Sequence, residues 1–181
     1  KTPIFSSLPD ETEMPNITTL FCSNNIIDFL PDYPKLTELK FENNKTENGL
    51  ELESDDFPNL ELLDISNTNI KISAIETKLD EDNNPILDEE GNPDIIYHPP
   101  IFPYCPKIKK INFSESNLSV IPNPSKEEFE KYKTMFDSIT WWNSSGNGHV
   151  FMPDLPNATQ IDCSNNNIEN LGKFPKVIKL H

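Results

Sequence analysis

One spacing constrains this chain more than any other feature. Counting from Ile17 as zero, apolar residues fall at offsets 0, 3, 5, 10 and 13 (Ile17, Leu20, Cys22, Ile27, Leu30), with Asn25 at offset 8 and Pro31 at 14. The template recurs from Leu36 (Leu36, Leu39, Phe41, Asn44, Thr46), from Leu60 (Leu60, Leu63, Ile65, Thr68, Ile70) and from Ile108 (Ile108, Ile111, Phe113, Ser116, Leu118, Ile121). A degenerate copy starts at Ile139 (Ile139, Trp142, Ser144, Asn147, His149, Met152) and a strong one at Ala158 (Ala158, Ile161, Cys163, Asn166, Ile168, Leu171). Val177 and Leu180 open a seventh. The starts lie 19, 24, 48, 31, 19 and 19 residues apart, so the unit is about 19 residues and three turns carry insertions. Self-similarity at such a period marks stacked units that share one core.

The template has a direct physical meaning. Offsets 3 and 5 stand two apart, so in an extended strand both side chains point to one face while offsets 2, 4 and 6 point to the other. A single turn cannot bury its own apolar face, but stacked turns can, with parallel strands lining one side. The polar residue at offset 8 suits a tight corner where an amide or hydroxyl bonds backbone groups that would otherwise be unpaired. Asn25, Asn44, Asn147 and Asn166 hold that place, and Thr68 and Ser116 substitute with hydroxyls. Phe5, Leu8 and Pro9 match offsets 10, 13 and 14 of an earlier turn, so the pattern is expected to be truncated at both ends.

The insertions are read separately. Residues 74–104 contain Ile86-Leu87 and Ile95-Ile96-Tyr97 on either side of Gly91-Asn92, which predicts a β-hairpin with an acidic tip. Asp80, Asp82 and Asn84 alternate like calcium ligands, but Pro85 stands where such a loop needs Gly and Gly91 where it needs Glu. Residues 123–138 hold Ser125-Lys126-Glu127-Glu128, a capping box, followed by Phe129, Tyr132, Met135 and Phe136 at helical spacing. A helix is expected at about 126–137, with its apolar stripe against the turns. In the turn from Ile139, polar Ser144 and His149 stand at core offsets, so either Trp142 fills the extra space or the turn is distorted.

At 181 residues the chain fits one domain spanning 1–181. Its formal charge of −15 argues against nucleic acid or an anionic membrane as partner, and a partner recognised through net charge would be basic. No stretch approaches about 18 apolar residues, so no membrane insertion is expected. Cys22 and Cys163 share offset 5 but lie five strand spacings apart, about 24 Å, beyond disulfide reach, and are expected to be small buried residues. His98, His149 and His181 are not spaced for acid–base or metal chemistry. No catalytic, metal or cofactor site is therefore expected, and the chain is read as non-enzymatic.

The outward offsets are the informative ones. They place Phe21, Glu38, Lys40, Leu62, Asp64, Asn112, Trp141, Asn143 and Asp162 on one face, polar groups with aromatic and aliphatic anchors, as protein-binding surfaces have. The spacing resembles that of leucine-rich-repeat proteins. The short period and the segments Leu30 to Pro34 and Met152 to Pro156 are similar to the short Leu-Pro class known from secreted bacterial effectors, giant viruses and amoebae. The resemblance implies an α/β solenoid, curved, with parallel strands on its concave face and an irregular convex side bearing the inserted hairpin and helix. It also implies a protein partner on the concave face. Two other roles stay open: the substrate-recognition arm of a larger enzyme such as an effector ubiquitin ligase, and a surface adhesin domain.

Overall fold

The computed structural model describes residues 4–47, 49–50, 57–70, 75–77, 80, 84–87, 95–97, 103–118, 121 and 129–181. Seven short strands form one parallel sheet: β1 (Thr19–Phe21), β2 (Glu38–Lys40), β3 (Leu62–Asp64), β6 (Lys110–Asn112), β7 (Trp141–Asn143), β8 (Gln160–Asp162) and β9 (Lys179–Leu180). Their order in the sheet is their order in the chain, interrupted only by β4 (Ile75–Thr77) and β5 (Ile95–Tyr97), which form a separate pair. With one described helix, α1 (Phe129–Ser138), this is an arrangement of the α/β class.

The register is flush from strand to strand. Leu20, Leu39, Leu63, Ile111, Trp142, Ile161 and Leu180 form one row across the sheet, all at offset 3. The long connections after β2, β3 and β6 therefore leave the strand positions unshifted. Within the row, Leu39, Leu63, Ile111, Trp142 and Ile161 are buried, and the residues on either side of each point outward. Offset 0 adds Leu36, Leu60, Ile108, Ile139 and Ala158 to the core, and offset 5 adds Phe41, Ile65 and Phe113. Each large apolar side chain so buried contributes about 1.5–3 kcal/mol. Stacking thus supplies what three-residue strands lack.

Two adjacent positions make the corner after each strand. Offset 7 is left-handed in six turns: Asn24, Asn43, Asn67, Glu115, Gly146 and Asn165 have φ between 52° and 72°. Asn and Gly adopt that region at low cost, and Glu does not. Offset 8 then turns inward. The Asn44 amide, fully buried, donates to Cys22 O (3.0 Å) and Phe41 O (2.8 Å), while its Oδ1 accepts from Ile27 N–H (3.1 Å). Asn147 and Asn166 repeat the device. The Asn166 amide donates to Ser144 O (2.9 Å) and its Oδ1 accepts from Asn147 N–H and His149 N–H, both at 3.0 Å. Thr68 and Ser116 are buried at the same place, donating to Phe41 O (3.2 Å) and Phe113 O (2.6 Å). Phe5 sits where offset 10 belongs: its N–H donates to Asn25 Oδ1 at 2.8 Å, as Ile27 does to Asn44.

The degenerate turn keeps its geometry. Ser144, His149 and Trp142 are all buried, and the Trp142 ring meets Phe113 edge-on (centroids 5.0 Å) and Phe136 (6.0 Å). The Ser144 hydroxyl meets Met152 Sδ at 3.8 Å, and Trp142 stands opposite Ile111 and Ile161, so the turn is in register rather than distorted. Tyr132, Met135 and Phe136 of α1 are buried, which makes the helical stripe part of the core. The helix ends at Ser138, one residue later than the spacing predicts, where the Ser138 hydroxyl donates to Met135 O (2.7 Å) and Ile108 O (2.5 Å). The expected capping box at Ser125 lies outside the described residues.

Two expectations need correction. The hairpin pairs Ile75–Thr77, not Ile86-Leu87, with Ile95–Tyr97. Asp80 N–H donates to Asn84 O at 2.9 Å and Pro85 and Leu87 each form a β-bridge, so the Ile86-Leu87 segment has a pairing of its own outside the β4–β5 pair. The acidic tip at 88–92 lies outside the described residues. Cysteine burial also divides: Cys22 and Cys105 are buried, but Cys163 is only half-buried, its thiol donating to His181 O at 3.4 Å. His181, the residue after β9, is its neighbour, and the same carbonyl accepts from the Cys163 N–H at 2.9 Å. None of the three forms a disulfide.

Candidate functional site

The outward side chains form two rows across the sheet. One runs Thr19, Glu38, Leu62, Lys110, Trp141, Gln160; the other runs Phe21, Lys40, Asp64, Asn112, Asn143, Asp162. All nine residues expected on the binding face lie in these rows. Lys40, Leu62, Asp64, Asn112 and Trp141 converge further, lining one open depression of about 460 Å³ with Leu63, Lys110, Thr140, Thr159 and Gln160. Phe21, Glu38, Asn143 and Asp162 lie outside it on the same face. Lys110 and Gln160 stand at outward offset 2, and Thr140 and Thr159 occupy offset 1.

The second row divides into groups that are committed and groups that are free. Asp64 Oδ1 accepts from Ser66 N–H (3.1 Å) and Ser66 Oγ (2.6 Å), and Asp162 Oδ1 accepts from Ser164 N–H (3.0 Å) and Oγ (2.7 Å). Asn112 Oδ1 accepts from Ser114 N–H (3.2 Å) and Oγ (2.9 Å), and Asn143 Oδ1 from Ser145 N–H (3.1 Å). An Asx residue followed two positions later by Ser is a local turn device that holds the strand exit. Asp64 Oδ2 accepts in addition from the Asn112 amide at 3.0 Å. These four side chains are thus tied to their own strand exits.

The remaining groups present themselves outward. Phe21 is 60 % exposed, and the Lys40 ammonium lies 4.9 Å from its ring centroid, a cation–π pair at the edge of the face. Trp141 and Leu62 are partly buried and supply apolar area. Along offset 1, Glu61 and Lys109 form a 2.7 Å ion pair that is about half exposed, worth about 0–1 kcal/mol. Beneath the face, burial first and the neighbouring Glu42 carboxylate second push the Cys22 thiol up to about 12, so it is an inert packing group.

A second hollow of about 720 Å³ lies between the end of α1 and the closing segments of the next two turns, lined by residues that include Phe136, Val150, Pro153, Leu171 and Lys173. Gly172 is required there: a Cβ on it would stand 2.2 Å from Pro153 O. Among the described residues no group of three or more His, Cys, Asp or Glu side chains is placed to hold a metal ion, and no helix is long and apolar enough to cross a membrane. Comparison with protein-family models, with curated proteins and with solved structures finds no match.

Proposed function

We propose that this chain is a leucine-rich-repeat solenoid that binds another protein on the concave face formed by its strands, and that binding rather than catalysis is its activity. The observation that carries the reading is the depression into which five successive strands bring Lys40, Leu62, Asp64, Lys110, Asn112, Trp141 and Gln160. A rigid floor with aromatic and aliphatic anchors and a polar surround meets the needs of a protein interface, because little side-chain entropy is lost on binding. The flush register supports the solenoid reading, since each turn repeats the same corner and the same core offsets despite the insertions.

The test is affinity capture from lysate with the wild-type chain and with the Phe21→Ala/Trp141→Ala double variant. A protein retained by the first and lost by the second supports the reading. Proteins retained equally by both overturn the assignment to this face.

A further inference from the structure

The strand face is electrically balanced within an acidic chain. Its strands carry Glu38, Asp64 and Asp162 against Lys40, Lys110 and Lys179, so the formal charge of −15 resides off the sheet. In the depression the balance turns positive, because Lys40 and Lys110 line it with Asp64 as its one acid. That acid is already engaged: one oxygen accepts from Ser66 and the other from the Asn112 amide. Among the described residues neither lysine has a carboxylate within ion-pair distance; Lys40 rests over the Phe21 ring instead.

The register sets where these cations stand. Lys40 is opposite Asp64 on the neighbouring strand, and Lys110 is opposite Leu62 on one side and Trp141 on the other. Two strand spacings and two residues separate the lysine Cα atoms, about 12 Å, which two lysine stems can close upon one anionic group. Leu62 and Asp64 stand on the strand between them, the Asp64 carboxylate held down by Ser66 and the Asn112 amide, and Trp141 is the cross-strand neighbour of Lys110.

Resting on the strand face as the binding surface, we propose that the depression takes an acidic extended segment of a protein partner. One carboxylate of that segment sits between the Lys40 and Lys110 ammonium groups, and a neighbouring apolar side chain packs on Trp141 and Leu62. The partner chemistry is thus opposite to what the net charge suggests, because the excess of acid lies outside the sheet. A basic segment would bring its cations against two lysines that no carboxylate among the described residues neutralises, and find Asp64 already accepting from Ser66 and the Asn112 amide. A polyanion such as nucleic acid is disfavoured for a different reason: its many phosphates extend past two lysines into the field of the acidic remainder.

The experiment selects random 12-residue peptides from a display library on the immobilised full chain, then measures the affinity of the synthetic consensus peptide. The expected consensus pairs Asp or Glu with an adjacent aromatic or aliphatic residue. Its affinity falls at least tenfold in Lys40→Gln/Lys110→Gln, survives in Lys40→Arg/Lys110→Arg, and weakens as salt rises, with the folding of each variant checked by urea denaturation. A Lys- or Arg-rich consensus overturns the acidic-segment proposal. So does a consensus whose binding ignores Lys40→Gln/Lys110→Gln yet is lost in Phe21→Ala/Trp141→Ala, a result that leaves the strand face as the site; a basic consensus leaves it so only when its binding too is lost in Phe21→Ala/Trp141→Ala. Peptides that bind every variant alike, or no enrichment over the bare support, overturn the proposal together with the strand-face reading.

Discussion

Replacing Asn44 by Ala tests the corner that repeats through the molecule. Three hydrogen bonds disappear, but their consequences differ. Cys22 O keeps a donor in the Asn25 amide at 2.9 Å, and Phe41 O keeps the Thr68 hydroxyl at 3.2 Å. Those two losses cost about 0.5–1 kcal/mol each. The Ile27 N–H is buried and loses its acceptor, and an orphaned buried donor costs about 1–3 kcal/mol. The sum is about 2–5 kcal/mol, a large part of the stability of a domain this size. Asn25→Ala is the matched control, because Asn25 is only half-buried and water can replace part of what it does. It is expected to cost at most about 1 kcal/mol. Urea denaturation of the two variants gives the difference, and amide hydrogen exchange should show Ile27 exchanging faster in Asn44→Ala. If both variants lose the same stability, or the Ile27 amide is unaffected, the corner is not held by this side chain.

Other positions give sharp expectations. Glu115 stands at a left-handed corner where the other turns use Asn or Gly, so Glu115→Asn should stabilise by about 0.5–1 kcal/mol, read as a raised urea midpoint. Leu39→Asp places a charge in the buried row and should abolish cooperative unfolding, which a sloping, non-sigmoidal denaturation curve will reveal. Cys22 is held near 12 against an ordinary 9.0, so the folded state keeps its proton; the stability it contributes is present below pH 9 and is lost as pH rises toward 12. From pH 8 to pH 10 that loss is about 1 kcal/mol, seen as the part of the pH slope that vanishes in Cys22→Ala.

The rows of the sheet were legible because their cause is local and periodic. Offset 3 faces inward in each full turn for the same steric reason, and an insertion between turns does not alter it. The offset-8 corner was legible for a similar reason, since few residues other than Asn, Ser and Thr satisfy backbone groups from a buried place. Offset 7 was equally periodic, with Asn24, Asn43, Asn67, Gly146 and Asn165, but it shows only when positions outside the apolar template are compared. The hairpin partner was missed because two isoleucine-containing segments compete for Ile95–Tyr97, and a turn dipeptide favours the nearer one. Which outward polar groups are free was not legible either. Asp64, Asn112, Asn143 and Asp162 look alike in sequence to any surface polar residue, and the Ser two positions on is what occupies them.

The central claim is that a protein binds the strand face, and the direct measurement is the affinity of a captured partner for three forms of the chain. Phe21→Ala/Trp141→Ala removes anchors on that face, while Val150→Ser/Leu171→Ser alters exposed residues of the hollow on the other side of the turns. Interface anchors contribute about 1–3 kcal/mol each, so the first variant should weaken binding at least tenfold and the second should leave it unchanged. The reverse pattern, with binding lost at Val150 and Leu171 and kept at Phe21 and Trp141, would contradict the account.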